Sequence, residues 1–366
     1  MTITRRSLLA AGAALPALGL ARPLWAAEPT LRGAADRAGL IYGTAVSSGN
    51  LAKDKPFAKL VAAQANTLVA EGETKRKAIE PKPGRYNFAG TEKILAFAAD
   101  NGQRVRGHTL VWHEANPDWL LDRLRKGASE KLLTGYIEKT VGHFRGRLNS
   151  WDVVNEVIHI DEGGEEDLRI SSPWYQAYGS GYIETAFQAA HAADPDAMLF
   201  YNELNLEADV WWAEKRRQSV LKLLEKLLKK GVPVHALGIQ SHLKAYRLDY
   251  SDEVFSRFLD EVAGLGLKVL ITEFDIADIE GPADPARRDA DIAALGRRYL
   301  DVAFSKPAVL GCLTWGLSDR YSWLSLYDQY KWADGSLSRG LPFDADLKPK
   351  TLYSEMLQAY QGARRA

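Results

Sequence analysis

Eight apolar runs of strand length recur along the chain, at residues 40–45, 67–70, 104–111, 149–155, 197–202, 236–241, 268–273 and 310–315, with helical patterns between them. Residues 214–230 place Val220, Leu221, Leu224, Leu227 and Leu228 at helical spacing, end in Lys229-Lys230 and stop at Gly231, with Pro233 beyond. A second helical pattern runs over 91–101 and stops at Gly102. Strands that alternate with helices pair in parallel, because each crossover helix returns the chain to the same edge of the sheet. Eight such units predict an α/β fold, a (β/α)8 TIM barrel, as one domain over residues 30–366. No repeat, low-complexity block or Pro/Ser/Thr linker divides it. A doubly wound open sheet is the alternative, but no glycine-rich phosphate loop follows the first strand.

The strand ends carry the chemistry. Trp151-Asp152-Val153-Val154 closes in Asn155 and Glu156, and Lys268-Val269-Leu270-Ile271-Thr272 closes in Glu273, followed by Phe274 and Asp275. In a barrel of this kind the reactive groups sit at the carboxyl ends of the strands. A carboxylate at the end of an apolar run is costly to bury unless it is paired or used. Two of them meet the requirement of glycoside hydrolysis for a carboxyl group on either side of one bond. A helix cap or a salt bridge is the plainer account of each Glu alone.

Other strand ends add polar groups. Asn155 can donate to a sugar hydroxyl beside the reacting carbon. His242 closes Gly238-Ile239-Gln240-Ser241 and can hold a carboxylate in its charged form, with Asp275 to orient it. Asn202 and Glu203 close the fifth run, and Trp315 and Trp323 flank the eighth strand's loop, where aromatic faces can cap a sugar. His108 and His113, five residues apart, match neither a His-Glu-x-x-His helix nor a zinc ribbon, so no metal is expected.

Composition narrows the partner. Lys+Arg and Asp+Glu balance at 47 each, so the chain has no basic field for nucleic acid, and a neutral ligand is expected. Cys312 is the only cysteine, which leaves no intrachain disulfide, and its apolar surroundings read as a buried structural thiol. Residues 1–27 read as a twin-arginine export signal: Arg5-Arg6 precede a mild apolar stretch, Leu8 to Leu20, interrupted by Gly12, Pro16 and Gly19. That stretch is too short and broken to span a bilayer. The expectation is a periplasmic or secreted monomer with no membrane insertion after the signal is removed.

With these residues in place, the chain from about 35 to 360 resembles glycoside hydrolase family 10, the endo-β-1,4-xylanases. Arg106 to His113 matches R-G-H-T-L-V-W-H, Trp151 to Glu156 matches W-D-V-V-N-E, and Gly238 to His242 matches G-I-Q-S-H. Thr272-Glu273-Phe274-Asp275 matches T-E-F/L-D, and Trp315 through Trp323 matches W-G-x-x-D-x-x-S-W. The resemblance implies Glu156 as acid/base and Glu273 as nucleophile of a retaining, cofactor-free hydrolase of xylan or xylo-oligosaccharides. Asn155, His242 and Asp275 are the implied catalytic support. Glu71, Lys75, His108, Trp112, Asn202, Gln240, Trp315 and Trp323 are the implied substrate contacts.

Two segments depart from the family pattern. Where it reads E-N-E-M-K-W, this chain has Glu71-Gly72-Glu73-Thr74-Lys75-Arg76, and where it reads N-D-Y-N, this chain has Asn202-Glu203-Leu204-Asn205. By the resemblance, the first segment binds the sugar one place beyond the cleaved bond. Loss of the Asn side chain removes a hydrogen bond of about 0.5–1.5 kcal/mol, so Gly72 and Arg76 are expected to weaken or alter that subsite. A shifted glycan preference and glycan binding without turnover are the rival readings.

Overall fold

The computed structural model describes residues 29–363; the export signal expected over 1–27 lies outside them. Ten strands form one parallel sheet system: β1 (Ile41–Val46), β2 (Thr67–Ala70), β3 (Arg104–Arg106), β4 (Val111–Trp112), β5 (Ser150–Asn155), β6 (Met198–Glu203), β7 (Ala236–Ile239), β8 (His242–Lys244), β9 (Lys268–Ala277) and β10 (Val309–Thr314). Their order is β3-β2-β1-β10-β9-β7-β6-β5-β4. The two ends meet: Gly107 pairs with Trp151, and the Gly107 amide donates to Ser150 O at 2.9 Å while the Asp152 amide donates to Gly107 O at 3.0 Å. The ring is therefore closed as a (β/α)8 barrel, with β3 and β4 sharing one position and β7 and β8 another.

Those two shared positions are where the expected strands 104–111 and 236–241 break. At the first, a Cβ on Gly107 would lie 2.2 Å from the Trp151 ring, so only glycine lets the chain cross that ring. Beyond it the backbone turns inward, the His108 amide donating to Thr74 Oγ1 at 3.2 Å. At the second, Ser241 adopts a left-handed φ of 65°, and His242–Lys244 restarts by pairing with Asp275–Ala277 of β9. β9 runs four residues past its expected end because that pairing continues the ladder.

Helices cover the outside of the ring. The helix expected over 214–230 spans Trp211–Lys229 and buries Val220, Leu223, Leu224 and Leu227, and Gly231 ends it with φ 70°. The helix expected over 91–101 spans Ala89–Asp100. Inside the barrel, Ala45, Val69, Phe200, Ala236, Leu270 and Leu313 form an apolar floor. Above it lies a charged layer, the buried Arg106–Asp152 pair, with the guanidinium 5.1 Å from the Phe200 ring. The strand ends then open into the cleft. Cys312 is buried, and burial pushes its thiol well above the usual range. Among the described residues no helix is long and apolar enough to cross a membrane.

Candidate active site

The strand ends line a cleft of about 870 Å³. Its walls include Glu71, Lys75, His108, Trp112, Asn155, Glu156, Gln240, His242, Glu273, Trp315 and Trp323, all of the expected site residues except Asn202 and Asp275. Asp275 lies behind His242 and is fully buried, with its Oδ1 2.9 Å from His242 Nδ1.

Glu273 sits on β9 with little exposure. Asn202 Nδ2 donates to its Oε1 at 2.8 Å, His108 Nδ1 lies 3.9 Å from the same oxygen, and His242 Nε2 lies 3.4 Å from Oε2. Burial alone would raise this carboxyl; the opposite charges of His108 and His242, with Lys75 beyond, overcome it and hold Glu273 down near 2. His242 is the reciprocal case. Burial would lower it, but Asp275 and Glu273 raise it to about 10. Asp275 Oδ2 also accepts from Trp323 Nε1 at 2.6 Å, which fixes the tryptophan against the His242 ring, 4.9 Å between centroids.

Glu156 follows β5 at a left-handed φ of 56°, held there by its amide donating to Asn202 O at 3.0 Å and by Arg169 Nε donating to its own carbonyl at 2.9 Å. Gln240 Nε2 donates to Glu156 Oε1 at 2.9 Å and Asn155 Nδ2 donates to it at 3.2 Å. Burial raises the Glu156 pKa above the ordinary carboxylate range, the nearby charges of Glu203 and Glu273 add to the rise, and the Gln240 bond only partly offsets it. His113 Nε2 stands 3.9 Å from Glu156 Oε2, but burial and Arg169 push this imidazole down to about 3, so it is neutral near pH 7.

Several residues stand elsewhere than expected. Asn202, expected to contact substrate, is fully buried beneath the cleft. Its amide nitrogen donates to both Asn155 Oδ1 (2.9 Å) and Glu273 Oε1 (2.8 Å), and its oxygen accepts from Thr272 Oγ1 (2.7 Å). It ties the two carboxylate-bearing strands together because a buried amide spends all its bonds on the protein. Arg76, expected to alter the sugar subsite, turns away from the cleft: it is buried, pairs with Glu80 at 2.9 Å and lies 4.0 Å from the Tyr136 ring centroid. Glu203 also turns outward, accepting from Tyr201 Oη at 2.5 Å and the Ile158 amide at 3.1 Å. Leu204 and Asn205, in contrast, do line the cleft. Lys75 sits between two rings, its Nζ 4.9 Å from Trp112 and 5.7 Å from Trp315.

Sequence reasoning passed over Asp152, which is fully buried. It receives Arg106 Nη1 at 3.0 Å and lies 2.9 Å from His108 Nδ1, so it orients the histidine beside Glu273. A lone Asp inside an apolar strand was the available signal. Glu114, Tyr327, Gln329 and Tyr330 also line the cleft from loops whose sequence carries no periodic pattern, and Lys244 lines it from the end of β8. Among the described residues no group of three or more His, Cys, Asp or Glu side chains is arranged to hold a metal ion.

Two carboxyls of opposite proton affinity, joined through amides at the open end of a parallel barrel, are suited to acid/base and nucleophilic work on one bond. Known proteins resemble the chain over most of its length. The model of glycosyl hydrolase family 10 matches residues 30–359. A protein named Beta-1,4-xylanase from Dictyoglomus thermophilum is 35% identical over 335 residues, spanning 86% of this chain and 87% of that protein. The "Thermostable celloxylanase" of Thermoclostridium stercorarium is 32% identical over 81% of this chain and 79% of its own length. The crystal structure of xylanase 10B from Thermotoga petrophila in complex with xylobiose superposes with a TM-score of 0.81 at 31% identity, covering 92% of this chain and 98% of that one. The chain belongs to glycosyl hydrolase family 10.

Proposed function

We propose that this chain is a retaining endo-β-1,4-xylanase acting on xylan and xylo-oligosaccharides, with Glu156 as acid/base and Glu273 as nucleophile. The feature that carries the assignment is the contrast between the two carboxyl environments: the charges of His108 and His242 beside Glu273 pull its proton affinity down, while burial pushes that of Glu156 up. Glu273 attacks the anomeric carbon as Glu156 protonates the departing glycosidic oxygen. The C–O bond breaks, the leaving sugar departs as an alcohol, and a glycosyl ester forms on Glu273. Glu156, now a carboxylate, takes a proton from water; the hydroxide adds to the anomeric carbon and the ester bond opens, restoring both groups. Asn155 would meet the sugar hydroxyl beside the reacting carbon, and Trp315 and Trp323 would face the ring. Asn202 acts from below by fixing Asn155 and Glu273.

The test is product analysis on linear xylohexaose beside cellohexaose, with the anomer of the first product read by NMR. Internal cleavage of the xylo-oligomer with the β-anomer released first is expected. The α-anomer would overturn retention, and binding without released reducing sugar would reduce the protein to a glycan-binding module. A second reading, dual action on β-1,4-glucan, draws support from the celloxylanase relative and from the room at Gly72; faster cleavage of cellohexaose would favour it.

The proposed site of action is outside the cytoplasm, from the Arg5-Arg6 pattern, and the proposed state is a monomer. Replacing both arginines by Lys should retain the chain in the cytoplasm; unchanged export would overturn the signal. Light scattering of the purified chain reads the mass.

A further inference from the structure

Gly72 lines the cleft between Glu71 and Glu73, and a Cβ built there would meet no atom within 4 Å. Its φ lies outside the left-handed region, so the backbone does not require glycine at this position. The opening borders two groups that the protein leaves unused. Neither the Glu71 carboxyl nor the Lys75 ammonium has a side-chain hydrogen bond or ion pair among the described residues, although both face the cleft. Glu71 is half-buried, and burial raises its carboxyl against the pull of Lys75. Groups left this way in a cleft wall are completed by what enters it.

Contacts place this wall relative to the reacting carbon. His108 Nδ1 is 3.9 Å from Glu273, its ring meets Trp315 edge-on at 5.2 Å, and Lys75 stands over Trp315 and Trp112. The contacts therefore run from Glu273 through His108 and Trp315 to Lys75, and on the xylanase reading they continue to the next sugar of the chain. Glu71 and Lys75 take that sugar's hydroxyls, and the gap over Gly72 lies beside those hydroxyls.

We propose that the space over Gly72 is a side pocket that accepts a neutral substituent, an acetyl or arabinosyl group, on the hydroxyls of that second sugar. Charge selects the class. Two carboxylates, Glu71 and Glu73, flank Gly72 in the cleft wall against the ammonium of Lys75. An anionic glucuronyl branch meets net repulsion, whereas a neutral branch loses nothing and fills open volume. Glu73 is already committed to the wall, accepting from the Ser48 amide at 2.6 Å and the Gly72 amide at 3.3 Å, so it holds the pocket's rim rather than the sugar. The proposal rests on the xylanase reading.

The experiment compares the wild-type chain with Gly72→Asn and Gly72→Ala on linear, arabinosylated, acetylated and glucuronosylated xylo-oligosaccharides. Fragments are sequenced for the position of the branch relative to the new reducing end. Wild type should yield fragments with an arabinosyl or acetyl group on the penultimate sugar and none with glucuronyl there. Gly72→Asn should gain about two- to tenfold in kcat/KM on the linear substrate, the worth of one restored hydrogen bond, and lose those branched fragments. Gly72→Ala, which adds one methyl and no hydrogen bond, should retain them in part and show no linear gain. Linear cleavage by wild type with no branch ever on the penultimate sugar would overturn the pocket alone. A wild-type chain inactive on linear xylohexaose would overturn the xylanase reading and the pocket with it.

Discussion

Glu156 and Glu273 each have an imidazole nitrogen 3.9 Å away, yet the two carboxyls shift in opposite directions. The difference lies behind the histidines. His108 Nδ1 faces the buried Asp152 and His242 Nδ1 faces the buried Asp275, each at 2.9 Å. His113, beside Glu156, is kept neutral first by burial and then by Arg169, which together outweigh the nearby Glu162 carboxylate. A neutral imidazole gives Glu156 no opposing charge, so burial prevails there. The lesson is that the two carboxyls are driven apart one layer out, where a buried aspartate stands behind each histidine beside Glu273 and burial with Arg169 acts on the histidine beside Glu156.

The strongest challenge to this contrast is removal of the carboxylates themselves. Glu273→Gln leaves the amide-lined floor in place but no nucleophile, and kcat should fall on the order of 10⁴-fold or more. Near-native hydrolysis of xylan by this variant would break the assignment. Glu156→Gln should cost roughly 10²–10⁴-fold on xylan. Its loss should shrink on an aryl xyloside whose leaving group needs no proton, and added azide should restore turnover with a β-glycosyl azide as product. An equal loss on both substrates would mean that Glu156 does not supply the proton.

Asn202 tests the link between the two halves. Asn202→Ala frees Asn155 and Glu273 from their shared donor and leaves a small cavity under the cleft. A misplaced nucleophile can cost about 10²-fold, so kcat should drop by that order with KM little changed. A variant that raised KM alone would return Asn202 to the role of a sugar contact. Because the change also weakens the core, its thermal midpoint should be measured beside the rate.

Much of this arrangement was legible in the sequence, and the reasons are physical. Each strand end carries both halves of its message, an apolar run and the polar residue that closes it, so the eight barrel positions and the Glu156–Glu273 pair could be read directly. The breaks at Gly107 and Ser241 could not, because they depend on a ring from another strand and on a backbone angle. Asn202 and Arg76 show the same limit. Their residue types invite a role in the cleft, but side-chain direction is set by neighbours far away in sequence: Thr272 and Glu273 for the one, Tyr136 for the other. The loop residues Tyr327 and Tyr330 line the cleft with no periodicity to announce them.

The smallest expected effect is also the most specific to the contrast, because it moves a pH limb rather than a rate. In the free enzyme, activity on the acid side fails when Glu273 takes a proton, and on the alkaline side when Glu156 loses one. Glu273 lies below the ordinary carboxylate range, so its limb sits at low pH. His242→Gln keeps a hydrogen-bond donor within reach but removes the cation, so burial is less opposed, the Glu273 pKa rises and the acid limb of kcat/KM moves to higher pH. The alkaline limb, set by Glu156, should stay in place. Asp275→Asn removes one of the anions that hold the His242 proton, and its readout is stability. The His242 pKa is raised from 6.5 to about 10 by its anions, so the pair's contribution to folding is fully present below about pH 6.5 and is lost as pH climbs toward 10. In Asp275→Asn that alkaline decline should flatten in a series of thermal melts. A shift of the alkaline limb instead, with the acid limb fixed, would mean that the histidine pair serves Glu156 and would reverse the assignment of the two carboxyls.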